Sequence, residues 1–166
     1  MVQKHKKYSA YLGLLLFFLF SQSRSFGQNQ LFLEIGGFSK TYSINFSLQL
    51  LKDYDQQSFI RFGGAIEENR FIAPLGFIFI KGNRTHFWEA SGGLTLWSEG
   101  YQFWDRDRSD LFLNINGGLA YRYQPFREMY YVSIGLFPFV SLDPSPNGVE
   151  ASTGFRPGFS LGYQIR

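Results

Sequence analysis

The stretch Phe155-Arg156-Pro157-Gly158-Phe159-Ser160-Leu161-Gly162-Tyr163-Gln164-Ile165-Arg166 decides the fold. Its odd positions are Phe, Pro, Phe, Leu, Tyr and Ile; its even positions are Arg, Gly, Ser, Gly and Gln up to the final arginine. Successive side chains of a β-strand point to opposite faces, so this segment has one continuous apolar face and one small or polar face.

The same alternation recurs upstream. Tyr42, Ile44, Phe46, Leu48 and Leu50 alternate with Ser43, Asn45, Ser47 and Gln49, and Leu111, Leu113, Ile115, Leu119, Tyr121 and Tyr123 are set against Asn114, Asn116, Gly118, Ala120 and Arg122. Eight such segments fall near 30–37, 40–51, 57–66, 71–80, 85–97, 109–124, 128–140 and 153–165, separated by turn formers. The fourth, Phe71 to Ile80, is apolar on both faces and contains Pro74, so its parity stays open and a bulge or register shift is expected at the proline. An even strand number closes into an up-and-down barrel with both termini on one side, and closure removes edges that hydrocarbon would leave unpaired. The pattern therefore predicts an all-β chain forming a single eight-stranded antiparallel up-and-down transmembrane β-barrel. Tight turns are expected at Lys52 to Gln57, Lys81 to Thr85 and Gln124 to Glu128. Outward loops are expected at Gly37 to Lys40, Glu67 to Arg70, Glu99 to Asp110 and Ser141 to Ser152. A soluble barrel also alternates, but its outer face carries many charges, whereas the polar face here is rich in Gly, Ser and Asn.

The amino terminus supplies the compartment. Lys4 to Lys7 form a basic region, Tyr11 to Phe20 an apolar run too short to span a bilayer, and Ser25-Phe26-Gly27 a small-x-small cleavage site, with Ser23 a second one. Residues 1–27 thus read as a cleaved secretory signal peptide and 28–166 as the barrel; a retained anchor is the competing reading. Four of the sixteen basic residues, Lys4, Lys6, Lys7 and Arg24, belong to the leader, leaving twelve against thirteen acidic residues, so the charge gives no support for a nucleic-acid partner. The chain has no cysteine, which excludes disulfides, thiolate metal sites and a lipid-modified cysteine anchor.

Five charges fall on the expected inward parity: Glu34, Arg61, Glu89, Arg122 and Arg156. The interior of an eight-stranded barrel is filled by side chains, and buried carboxylates there need cationic partners. The five read as an interior polar network in which Glu34 and Glu89 share Arg61 and Arg122, with Glu34, Arg61 and Glu89 at similar depths. An ion or proton path is the alternative. For catalysis the resources are thin. His86 is the one histidine after the leader; it is followed by Phe87 and Trp88 with no His-x-Ser arrangement, and no Gly-x-Ser-x-Gly elbow is present. Neither a catalytic site, a cofactor nor a metal is expected. Tyr101, Phe103, Trp104, Asp105, Arg106, Asp107 and Arg108 combine rigid aromatics with alternating charge, as partner-binding loops do, or anchor in an interfacial aromatic girdle.

With the leader, the eight segments, the pairs Gly36-Gly37, Gly63-Gly64, Gly92-Gly93 and Gly117-Gly118, and the ending Gly158-Phe159-Ser160-Leu161-Gly162-Tyr163, the chain resembles small outer-membrane β-barrel proteins of Gram-negative bacteria, the architectural class of the OmpA transmembrane domain. The resemblance implies residence in the bacterial outer membrane, contact with its lipid, and a final strand read by the barrel-assembly machinery. That strand usually ends in an aromatic residue, and here Ile165 and Arg166 follow Tyr163. It implies no shared activity. Three tasks fit: a structural or surface-interaction barrel with a plugged interior and loops available to an extracellular ligand or protein, a small ion or water pore, and a lipid-modifying enzyme using His86.

Overall fold

The computed structural model describes residues 28–67, 70–99, 111–125, 128–145 and 148–165. The expected leader and the expected binding loop from Tyr101 to Arg108 lie outside the described residues. Eight strands follow one another: β1 (Asn29–Gly36), β2 (Tyr42–Lys52), β3 (Gln56–Glu67), β4 (Arg70–Asn83), β5 (His86–Glu99), β6 (Leu111–Tyr123), β7 (Tyr130–Ser145) and β8 (Gly148–Ile165). Each pairs antiparallel with the next, and β1 pairs with β8 from Asn29↔Ile165 to Gly36↔Gly158, closing the barrel. The rim that carries Asn29 and Ile165 is called the terminal rim below; the opposite one is the distal rim.

Parity holds around the ring. Ser43, Asn45 and Ser47 of β2, Asn114 and Asn116 of β6, and Ser160 and Gln164 of β8 are buried, whereas Ile44, Ile115, Leu119, Ile134, Phe159 and Leu161 on the alternate positions are exposed. A continuous band of large apolar side chains pointing away from the core is what hydrocarbon, not water, accommodates. The open parity of β4 resolves with Ile72, Pro74, Ile78 and Ile80 inward and Leu75, Phe77 and Phe79 outward. Both its faces are apolar because Ile78 and Ile80 join Phe32, Phe59 and Tyr131 in the interior cluster.

The prolines interrupt pairing without shifting it. The β3–β4 ladder runs to Phe62↔Leu75 and resumes in the same register at Ala65↔Ile72, skipping the bridge between Gly63 and Pro74. The β6–β7 ladder likewise passes from Asn116↔Phe139 to Leu119↔Leu136 across Pro138, which faces the Gly117-Gly118 pair. Proline has no amide hydrogen to give a ladder, and in both places a glycine pair stands opposite it. The expected register shift at Pro74 is therefore absent; the described irregularity lies between Gln49 and Leu51 of the β2–β3 ladder.

Two loops differ from expectation. Ser141 to Ser152 is mostly strand: β7 and β8 stay paired from Leu142↔Ala151 out to Ser145↔Gly148, forming a hairpin at the distal rim. The short connection after β1 is a 3-10 turn, Gly37–Ser39, whose three residues are all buried. Gly36 (φ 72°) and Gly37 (φ 61°) both adopt the left-handed region open to glycine, and this turns the chain back into the barrel.

The belt implies a depth dependence. Ile115→Lys, at the middle of β6, is expected to lower folding free energy in lipid vesicles by about 2–4 kcal/mol. Val149→Lys shares the outward parity but sits on the protruding hairpin, and should cost no more than about 0.5 kcal/mol. Urea titration of both variants in vesicles measures the difference.

Candidate functional site

The lumen concentrates the chemistry. On its distal side Arg61 of β3 grips Glu34 of β1 through two parallel bonds, Nη1 to Oε2 at 3.0 Å and Nη2 to Oε1 at 3.1 Å, and Nη2 also donates to Asn45 Oδ1 at 2.8 Å. Both partners are 1% exposed. Towards the terminal rim Arg122 of β6 donates through Nε to Glu89 Oε2 at 3.0 Å and through Nη1 to Gln30 Oε1 at 3.2 Å, while its Nη2 lies 2.8 Å from the same carboxylate oxygen. Burying an ion is tolerable where its partner and further hydrogen bonds replace water, and a bidentate guanidinium–carboxylate pair is the strongest such arrangement.

The two pairs are linked by rings. Arg61 Cζ lies 4.5 Å from the centroid of Phe38 and 5.0 Å from that of Phe32. Phe32 meets Tyr131 at 6.4 Å, and Arg122 Cζ lies 3.7 Å from the Tyr131 centroid. Beyond Phe38, Phe137 packs edge-on at 5.8 Å. A column of aromatic rings and guanidinium planes thus fills the interior, each cation facing a π surface as well as its carboxylate.

Small residues make room for the rings. A Cβ on Gly162 would come within 2.2 Å of the Tyr131 ring, and one on Gly158 or Gly118 within 2.4 or 2.5 Å of Phe137. The inward Gly and Ser of the alternating pattern are therefore the complement of the column, large against small across a narrow section.

Phe38 is the contributor that period-two reading missed, because it stands in a loop and not on a strand. Its amide donates to Glu34 Oε1 at 3.1 Å and its carbonyl accepts from Thr95 Oγ1 at 3.0 Å, which in turn accepts from Asn116 Nδ2 at 3.0 Å. Glu34 therefore holds both the arginine and the inserted turn. The available signal was local: two glycines before a large apolar residue in a five-residue connection.

Among the described residues the expected interior charges pair two by two, Glu34 with Arg61 and Glu89 with Arg122. Arg156 joins neither pair among the described residues. It lies over the Phe139 ring at 3.6 Å at the distal rim, with Nη1 buried and without a hydrogen-bond partner. A hollow of about 10 Å³, the room of a single water, is lined by Ser39, Lys40, Glu67, Arg70, Trp97 and Asn114. His86 is exposed, hydrogen-bonded through Nδ1 to the Tyr121 hydroxyl and packed at 5.7 Å on Tyr123. With Trp88, 6.1 Å from Tyr121, it belongs to an outward aromatic cluster near the terminal rim, as suits a membrane interface.

No family model matches the chain, and no curated protein matches it. Among solved structures it is similar to the N-terminal β-barrel domain of Pseudomonas aeruginosa OprF, with a TM-score of 0.51 and 16% identity over 84% of this chain and 99% of that one. The outer membrane protein Ail of Yersinia pestis, solved in a phospholipid bilayer nanodisc, aligns with a TM-score of 0.48 and 8% identity over the same shares. The OprF likeness shows the fold: this chain has the eight-stranded up-and-down architecture of outer-membrane barrels.

Glu34→Gln is expected to destabilise the barrel by about 3–5 kcal/mol, because it strands the buried Arg61. The double variant Glu34→Gln with Arg61→Met should recover the part of that loss due to the stranded guanidinium, and a double-mutant cycle in denaturant, with Arg61→Met as the other single variant, measures it. Equal destabilisation by single and double variants would mean that the pair acts through something other than mutual neutralisation.

Proposed function

We propose that this chain is an integral bacterial outer-membrane barrel with a structural or surface-interaction role, exported by residues 1–27 as a cleaved leader and carrying a sealed lumen. On this reading the terminal rim faces the periplasm and the distal rim the cell exterior. The outward band contacts outer-membrane lipid, and the barrel-assembly machinery recognises the chain during insertion.

The observation that carries the sealed reading is the column. Phe137, Phe38, Arg61, Phe32, Tyr131 and Arg122 succeed one another through the interior at ring and cation contacts of 3.7–6.4 Å, with two carboxylates neutralising two guanidinium groups. A conducting path needs sites that an ion enters and leaves, whereas these charges are consumed by one another and by flanking rings. The non-catalytic reading draws on His86, which meets the Tyr121 phenol and the Tyr123 ring in an outward cluster, the setting of an interfacial anchor. Binding is assigned to the distal rim, through the expected loop Tyr101 to Arg108 and the protruding β7–β8 hairpin, since function gathers on the loops a rigid scaffold presents.

Planar-bilayer recording tests the assignment. The folded protein is expected to give no discrete current steps, and Glu89→Gln is expected to stay silent while lowering the unfolding temperature. Discrete steps from the unsubstituted chain that disappear in Glu89→Gln would replace the sealed barrel by a pore.

A further inference from the structure

β8 outruns β1. Their pairing stops at Gly36↔Gly158, next to Pro157, while β8 continues back to Gly148. Over 148–157 it is bonded to β7, from Leu136↔Pro157 to Ser145↔Gly148, and among the described residues no strand occupies its other side. An open edge offers a row of backbone N–H and C=O groups to any strand that can align with it. Native edges are usually blunted by lysine, proline or a bulge. Here Val149, Glu150, Ala151, Ser152, Thr153, Gly154, Phe155 and Arg156 contain none of these in sequence, and the ladder to β7 is continuous along them.

The charge pattern of this edge selects its occupant. Glu150 and Arg156 share one face by parity and are equidistant from Thr153. In an antiparallel pairing of the edge with itself, centred on Thr153, Glu150 stands opposite the partner copy's Arg156, and Arg156 opposite the partner copy's Glu150. In a parallel, in-register pairing like would face like. Opposite charges directly across a ladder stabilise it and like charges destabilise it.

We propose that the 150–156 edge of β8 docks antiparallel on the same edge of a second copy, with Thr153 at the two-fold axis. This rests on the surface-interaction reading above and names its partner as the chain itself. An axis that reverses strand direction sets the two barrels mouth to mouth, so the contact joins facing membranes, not neighbours in one membrane. One such strand pair is small beside a stable interface, so a single contact is weak and many copies on apposed surfaces act together.

Full-length folded protein in phosphatidylcholine vesicles tests the proposal, with fold verified for every variant by heat-dependent gel mobility. Unsubstituted vesicles are expected to cluster in light scattering. Glu150→Arg and Arg156→Glu should each weaken clustering roughly tenfold, and mixing vesicles of the two variants should restore it, since each then presents the other's complement. The chain has no cysteine, so engineered thiols report geometry. Thr153→Cys should form a disulfide with itself, while Ala151→Cys and Phe155→Cys should cross-link with each other and not with themselves. Absence of clustering, clustering indifferent to Glu150→Arg, or self-cross-linking at 151 and 155 would each overturn the proposal. None of these outcomes bears on conductance, so the docking and the sealed lumen fail separately.

Discussion

Hydrocarbon offers a backbone nothing to hydrogen-bond with, and the rest of this structure depends on how the chain answers that constraint. Each strand is paired on both sides within the belt, and the final link is β1 on β8. Closing at eight strands makes the section narrow. A narrow section cannot remain a neutral hollow, because an unfilled lumen forfeits the packing contacts of every inward side chain. Its filling therefore has to be written into the inward positions of all the strands at once, and Gly162 against Tyr131 and Gly118 against Phe137 are instances of that complementarity.

The filling is partly ionic, which gives it direction as well as density. A wholly apolar interior would tolerate several packings, whereas the fork of Arg61 on Glu34 accepts one registry of β1 against β3. The rings on either side of Arg61 replace water on the faces of the guanidinium that the carboxylate leaves bare. Glu34 has a second duty, since it also receives the Phe38 amide. The ion pair, the inserted turn and the distal end of the column are thus one cooperative unit, and a change at Glu34 reaches all three.

Much of this was legible in the residues and some was not, for identifiable reasons. The alternation of Tyr42 to Leu50, Leu111 to Tyr123 and Phe155 to Ile165 is period two with a polar face, and it placed the outward and inward faces correctly because those faces differ chemically. Phe71 to Ile80 resisted the same reading because Ile78 and Ile80 pack inward on an apolar cluster, so both faces look alike. Phe38 was invisible to periodicity because no period applies to a three-residue turn. Ser141 to Ser152 read as a loop, whereas β7 and β8 stay paired to Ser145↔Gly148; Pro144 is tolerated there because, among the described residues, the β6–β7 ladder ends at Leu142 and leaves β7 no further ladder to feed on that side. The inward parity of Glu34, Arg61, Glu89 and Arg122 could be read directly, but which carboxylate meets which arginine depends on strand stagger, and one chain's residue pattern does not contain the stagger.

On the proposed reading, a filled and internally neutralised lumen stands inside a lipid-facing wall. Transfer of magnetisation from water to the arginine side chains, recorded by solid-state NMR on the protein in lipid bilayers, tests it most directly. Arg84, in the exposed turn between β4 and β5, supplies the internal reference. Arg61 and Arg122 are expected to receive water magnetisation far more slowly than Arg84. Transfer to Arg61 and Arg122 as fast as to Arg84 would mean that water runs through the barrel, and would contradict it.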